Sequence, residues 1–415
     1  MRNRFYSHLS ANTIQLVINQ SFGLAIFYFL STGLDKTSFG NINLALALLL
    51  AVFNTLSFGI DQVAVRKIAS GEDQRSLLSL YVIHVLITGL AFYIILIAIS
   101  FLLPSALRSY HLLLLIAAGK LAIYFSTPFK QSAIGMERFR LLAQMSVISN
   151  ILRGLCLAIL AYTHHITLQN VVYTFAGGDV LELLIAFLLF KSSTGLPSGI
   201  QWDRTGYSAL IKESLPQLGV VVITSALARF DWIFIGIFVS AVKLAEYSFA
   251  YKVFELSTLP LLAIAPVLIP RFTKMFKEGK VDLAKLRKLV IAELAISVLT
   301  VLVLNIFWGP IIDPLTHGKY GSVNQLTIFI LSLCIPLQYM CNFYWTIYFA
   351  RGQLKLTLRA FVITFCINIL GDVFLIPLWH NEGAAIACLT GFIAQLIFYA
   401  CNLPWMDLNK FSVTK

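Results

Sequence analysis

Ten ionisable side chains fall inside long apolar runs: Lys120, Arg153, Asp179, Glu182, Arg229, Asp231, Lys252, Glu255, Glu293 and Asp372. At bilayer depth such a group costs from about 2.5 kcal/mol upward, so each marks an ion pair, a wet cavity or a pathway. Arg229 and Asp231 are two residues apart, about 200° around a helix, and cannot share a face. At least one of them needs a partner on another helix or a polar cavity. Two readings follow for Lys120, Arg153, Arg229 and Asp231: structural ion pairs between helices, or a cavity that receives an anionic head group. Asp179 and Glu182 are three apart on one face. They could share a proton and serve ion or proton coupling, or they neutralise Lys120 or Arg153. Lys252 and Glu255 share a face and can pair, and Lys252 is near enough to a helix end to snorkel. Acids outnumber bases at this depth, so the lumen is not plainly cationic.

The elements that carry these groups are read from the hydropathy. Of 415 residues, 59% are hydrophobic and 12% charged, about half the roughly 25% charge of a soluble domain. Apolar runs of about 20 residues recur, the length that crosses the hydrocarbon core. In lipid such runs must be helical, because every backbone polar group needs an internal partner. They do not alternate as barrel strands do. Helices are placed at 9–30, 40–60, 77–103, 110–130, 142–162, 170–190, 215–239, 247–269, 286–308, 323–349, 359–379 and 383–405. The reading is an all-α integral membrane protein of about twelve transmembrane helices in two six-helix lobes: an N-lobe at 1–191, a cytoplasmic linker at 192–212 and a C-lobe at 213–415.

The net charge of +12 is distributed by topology, which excludes a nucleic-acid surface. Alternate loops carry 23 Lys and Arg on the N-terminal side and four (Lys36, Arg108, Lys243 and Lys319) on the other. The positive-inside rule therefore places both termini in the cytoplasm. The basic run from Arg271 to Lys288 fits that topology and could also dock on anionic lipid head groups. The six cysteines sit in apolar runs without metal-ligand spacing, and nothing resembles a P-loop or a nucleophile with its base. No metal, cofactor or enzymatic chemistry is implied. Pro260 and Pro266 mark the eighth helix as a candidate hinge. Ala133-Ile-Gly135-Met-Glu-Arg138 with Ser149-Asn150-Ile-Leu152 echoes Ala350-Arg-Gly352-Gln-Leu-Lys355 with Ile367-Asn368-Ile-Leu370. The echo points to two parallel halves.

Certain stretches resemble a known family. Ser214-Leu-Pro216, Ala228-Arg229-Phe-Asp231-Trp-Ile-Phe-Ile-Gly236 and Glu246-Tyr247-Ser-Phe-Ala-Tyr251-Lys252, ending Ile269-Pro270, resemble the seventh and eighth helices of polysaccharide flippases. Phe58-Gly59-Ile-Asp61-Gln-Val-Ala-Val-Arg66, Gly318-Lys319-Tyr320 and Glu382-Gly383-Ala384-Ala385 agree in order. These flippases are the Wzx-type O-antigen repeat-unit translocases of the multidrug/oligosaccharidyl-lipid/polysaccharide superfamily. The resemblance implies a V-shaped bundle with a central cavity in a bacterial inner membrane. It implies movement of undecaprenyl-pyrophosphate-linked oligosaccharide to the periplasmic leaflet by alternating access, for lipopolysaccharide or other polysaccharide biosynthesis. Membrane lipids, a polymerase and a chain-length regulator are the implied partners. Candidate lumenal charges are Arg229, Asp231, Arg153, Lys120, Lys252 and Glu255, with Asp61 and Arg66 near the cytoplasmic mouth. A multidrug antiporter of the same superfamily is the nearest rival, but helix 1 and the core of helix 2 lack an acid. A membrane polymerase or ligase would need a larger outer loop.

Overall fold

A computed structural model describes residues 19–102, 111–195, 201–261 and 283–402, with Leu268, Phe272, Met275, Phe276 and Glu278 between the last two stretches. All regular structure among the described residues is helical. In chain order the helices are α1 (residues 19–33), α2 (Lys36–Leu56), α3 (Ile60–Ala69), α4 (Gln74–Leu102), α5 (His111–Gly135) and α6 (Phe139–Tyr162). Then come α7 (Leu168–Thr194), α8 (Arg204–Phe238), α9 (Ala241–Ser257), α10 (Leu283–Leu315) and α11 (Gln325–Ala350). The last helical stretch, Leu354–Asn402, is broken at His380 (φ 49°, ψ −119°) into α12 (354–379) and α13 (381–402). Leaving aside the short α3, the 3-10 turn Ser322–Asn324 and brief helical pieces such as 259–261, the described residues give the twelve helices expected.

Eight of the helical stretches are long and apolar enough to cross a membrane. Their outward residues are those that water would penalise: Phe101 is 78% exposed, Leu378 69% and Ile94 64%. Apolar exposure on this scale suits a lipid solvent. The protein is an all-α, multi-pass membrane protein.

Capping sets several boundaries. Asp35 Oδ1 accepts from Ser38 N–H (2.9 Å) at the start of α2, Thr167 caps α7 through Asn170 N–H and Ser240 caps α9 through Lys243 N–H. Each satisfies a donor that the first turn leaves orphaned. The second helix differs from its expected span of 40–60. It ends at Leu56, and the chain turns through Phe58 (φ 52°) and Gly59 (φ 72°) into α3. A Cβ on Gly59 would stand 2.8 Å from Gln217 Cβ, so the break is fixed by a close approach to α8. Asp61 and Arg66 consequently lie on α3, a helix of their own.

By its internal packing the chain divides between Ser225 and Ala226 into two compact units. In the first, α5 packs on α7, α4, α3 and α2, and α6 packs on α7. In the second, α11 packs on α10, α9 and the α12–α13 stretch. Residues 204–212, expected within the linker, are helical, and 213–225 group with the first unit instead of the C-lobe. Contacts explain this: Glu213 pairs with Arg66 and Lys67, and Asn54 Nδ2 donates to Ser225 Oγ (2.9 Å). Helix α9 ends at Ser257 with Thr258 as its C-cap, short of the expected 269. Pro260 falls two residues further on, among helical residues 259–261, where a missing N–H is tolerated. Pro266 lies outside the described residues.

Candidate functional site

In the first unit the intramembrane charges converge on one buried network. Asp179 and Glu182, i and i+3 on α7, face α5 and α6 as their spacing requires. Lys120 Nζ on α5 reaches Asp179 Oδ2 at 2.9 Å. Arg153 on α6 bridges both acids, with Nη2 2.5 Å from Asp179 Oδ1 and 2.8 Å from Glu182 Oε2. Lys130 pairs with Glu182, and Ser149 Oγ donates to Glu182 Oε2 (2.6 Å). Arg153 Nη1 also donates to Asn150 Oδ1 (2.9 Å), whose amide donates to Asn19. Arg153 is 8% exposed and Asp179 1%.

Glycine makes this convergence fit. A Cβ on Gly119 would stand 2.9 Å from Asp179 Oδ2, and one on Gly178 would stand 2.5 Å from Arg153 Cγ. With three cations on two carboxylates the network carries one positive charge in excess. Sequence reasoning missed Lys130, which the hydropathy sets at a helix end among the cytoplasmic bases. In this unit the expected balance of two bases and two acids thus becomes three against two.

The second unit holds another cluster. Arg229 on α8 lies over the Trp232 ring (4.4 Å to the centroid) and near that of Tyr251 (5.6 Å). Its Nη2 is 3.6 Å from Glu255 Oε1, and Lys252 Nζ is 2.8 Å from Glu255 Oε2. Asp231 points elsewhere, as two-residue spacing on a helix requires. Its Oδ2 accepts from Tyr247 Oη (2.7 Å) and its Oδ1 from Trp232 N–H (2.8 Å). Arg229, Glu255 and Lys252 come together, while Asp231 belongs to a separate buried polar group. Asp372 on α12 lies near enough to Asp231 for their charges to interact, and among the described residues its two oxygens have no hydrogen-bond partner. Its position in an apolar run is the sequence signal for it, although nothing there names Asp231 as its neighbour.

Asp61 and Arg66 both lie on α3 in the first unit. Asp61 accepts from Tyr81 Oη, and Arg66 pairs with Glu213. Beside them Lys67 holds Glu72 (2.9 Å) and Glu213 (3.1 Å), and the hydrogen bond to Glu72 chiefly raises its pKa above the usual lysine value. A cavity of about 350 Å³ lies in the same unit, with Asp61 and Lys120 both on its wall.

Comparison with solved structures finds this fold repeatedly. The lipid II flippase MurJ in an inward closed conformation matches with a TM-score of 0.76 and 15% identity, over 97% of this chain and 90% of that one. An inward-facing multidrug resistance MATE family transporter of the MOP superfamily matches with a TM-score of 0.68 and 14% identity, over 97% and 99% of the two chains. A MATE transporter of Vibrio cholerae matches with 0.62 and 14%, over 98% and 96%. At these identities the likeness is one of fold. No curated protein matches the sequence. The model of a family described as polysaccharide biosynthesis proteins covers residues 8–276, more than half of the chain, and the chain belongs to that family.

Proposed function

We propose that the protein flips undecaprenyl-pyrophosphate-linked oligosaccharide repeat units, of the O-antigen kind, from the cytoplasmic to the periplasmic leaflet of a bacterial inner membrane. The observation that carries this is the buried network of Lys120, Lys130 and Arg153 on two carboxylates, one charge in excess. It sits within apolar helices of a polysaccharide biosynthesis family member. A sugar head group is costly in hydrocarbon and a polyprenyl tail is costly in water. A polar lumen bounded by lipid-facing helices leaves each part in its own solvent.

In this reading Arg153 and Lys120 offset the charge of the pyrophosphate in the first unit; in the second, Arg229 and Lys252 are candidate lumenal cations that Glu255 holds in place. Asp61 and Arg66 stand at the cytoplasmic mouth. Asp179 and Glu182 set the resting charge of the network and are the candidate proton carriers. The two halves act as an N-lobe and a C-lobe, with both termini cytoplasmic and Pro260 near a hinge. The work needs no nucleotide. An interior-negative potential favours outward movement of an anion by about 2.3 kcal/mol per charge per 100 mV. Polymerase and chain-length regulator would consume the product on the far side. The fold also serves a flippase named for lipid II, which supports a lipid-linked substrate.

The test is complementation of a deletion strain, with expression of each variant checked. Wild type restores polymerised surface polysaccharide, whereas Arg229→Ala and Asp231→Ala leave single lipid-linked repeat units in the inner leaflet. A deletion that leaves the surface polysaccharide unchanged, with no redundant translocase, would overturn the reading. A second reading, cation-coupled drug export, is favoured by the MATE likeness and the Asp231–Asp372 neighbourhood. It requires the deletion strain to gain drug sensitivity while its polysaccharide stays intact.

A further inference from the structure

The cavity of the first unit has a chemistry that the charge networks do not explain. Leu46, Leu49, Leu50, Phe53 and Asn54 recur at helical spacing along α2 and line the cavity, with Ser57 at the C-cap of that helix. Asp61 on α3 and Lys120, Ile123, Tyr124 and Thr127 on α5 complete the lining. The volume, about 350 Å³, falls in the range of about 300–1,000 Å³ typical of small-ligand sites.

Three features define what fits. Phe53 and Tyr124 form a stacked aromatic wall, with centroids 5.0 Å apart and an interplanar angle of 30°. That wall is fixed: Phe92 meets Phe53 edge-on, and the Tyr124 hydroxyl is engaged by Thr88 (2.9 Å). Second, short polar side chains stand beside it. The Asn54 amide nitrogen donates to Ser225 Oγ, which orients that side chain, and Ser57 Oγ donates to the main-chain carbonyl of Asn54. Third, the cavity has a carboxylate, Asp61, held by Tyr81, and an ammonium, Lys120, held by Asp179. Lys120 already has a counter-charge and the Asp61 carboxylate a hydroxyl donor, so the cavity presents hydrogen-bonding capacity in both senses.

A lipid chain would desolvate the remaining lone pairs and N–H groups of Asn54, Asp61 and Lys120 without offering them a partner. An anion would have no use for the aromatic wall, and a cation drawn to that wall would meet the Lys120 ammonium in the same lining. A pyranose ring satisfies all three features: its C–H face lies on an aromatic ring while its hydroxyls donate to a carboxylate and accept from an ammonium or amide. We propose that this cavity is a carbohydrate subsite that takes one sugar ring of the translocated head group. The inference rests on the flippase reading and adds the place where the glycan, as distinct from its anionic linkage, is recognised.

The test uses purified full-length protein in nanodiscs. The probes are lipid-linked repeat units extracted from the deletion strain and undecaprenyl pyrophosphate without sugar. Wild type holds the glycosylated carrier about tenfold more tightly than the bare one, a difference of about 1.4 kcal/mol. Asn54→Ala and Tyr124→Leu bring the glycosylated carrier down to the wild-type affinity for the bare one. Tyr124→Phe keeps the ring and binds the glycan as wild type does. Equal binding of both carriers by wild type, full glycan binding by Asn54→Ala and Tyr124→Leu, or loss in Tyr124→Phe overturns the subsite. Failure of wild type to bind either carrier overturns the flippase reading itself.

Discussion

Arg153 touches both acids of the first unit, and its removal exposes what such a network costs to leave incomplete. Arg153→Ala leaves Asp179 and Glu182 buried with lysines alone. Breaking a buried pair on one side typically costs about 3–5 kcal/mol, so a large fall in thermal stability is expected in detergent. Adding Glu182→Gln should recover part of that loss, because the residues share one network and their effects do not add. A double variant no more stable than Arg153→Ala would sink the account. In the second unit Tyr247→Phe should cost about 1–3 kcal/mol by leaving the buried Asp231 oxygen unpartnered, read by the same melt. The depth of these charges was legible in the sequence, since an ionisable group in an apolar run stands out. Their partners were not. Lys130 meets Glu182 across 52 residues, and no local period encodes a meeting between helices.

The helices are punctuated by single residues whose substitution should show at their own boundaries. Gly59 has φ 72° and no room for a Cβ, so Gly59→Ala should destabilise the turn between α2 and α3. A strained positive φ costs about 1–3 kcal/mol, and limited proteolysis near residues 57–60 reports it. Thr167→Ala removes the cap of α7 and should cost about 1 kcal/mol. Asp35 titrates below the usual carboxylate value, chiefly through its hydrogen bond with Ser38. Its cap therefore stabilises above the unfolded pKa and is lost only as pH falls through the lower folded value. Number and order of helices were legible because lipid thickness fixes the length of each apolar run. Their ends were less so. Hydropathy runs smoothly through Phe58 to Ile60, and the break there answers to Gln217, far away in the chain.

Across the whole molecule the apolar exterior and the loop charges make separate claims. Ile94, Phe101 and Leu378 need lipid or detergent around them, so the chain should aggregate when detergent is removed. The 23-to-four distribution of Lys and Arg predicts the orientation. A C-terminal reporter that works only in the cytoplasm should be active, and an impermeant amine reagent on intact cells should not reach the Arg271 to Lys288 stretch. Labelling of that stretch from outside would invert the topology.

The joint between α12 and α13 bears on how that topology can be mapped. His380 holds a left-handed φ of 49°, and a Cβ on Gly383 would fall on the Leu375 carbonyl. The chain there has no slack. An epitope inserted between residues 379 and 383 would act as a wedge instead of a flag, and its silence would say nothing about sidedness. Gly71, with φ 88° and open space around it, is the better place for an inserted tag.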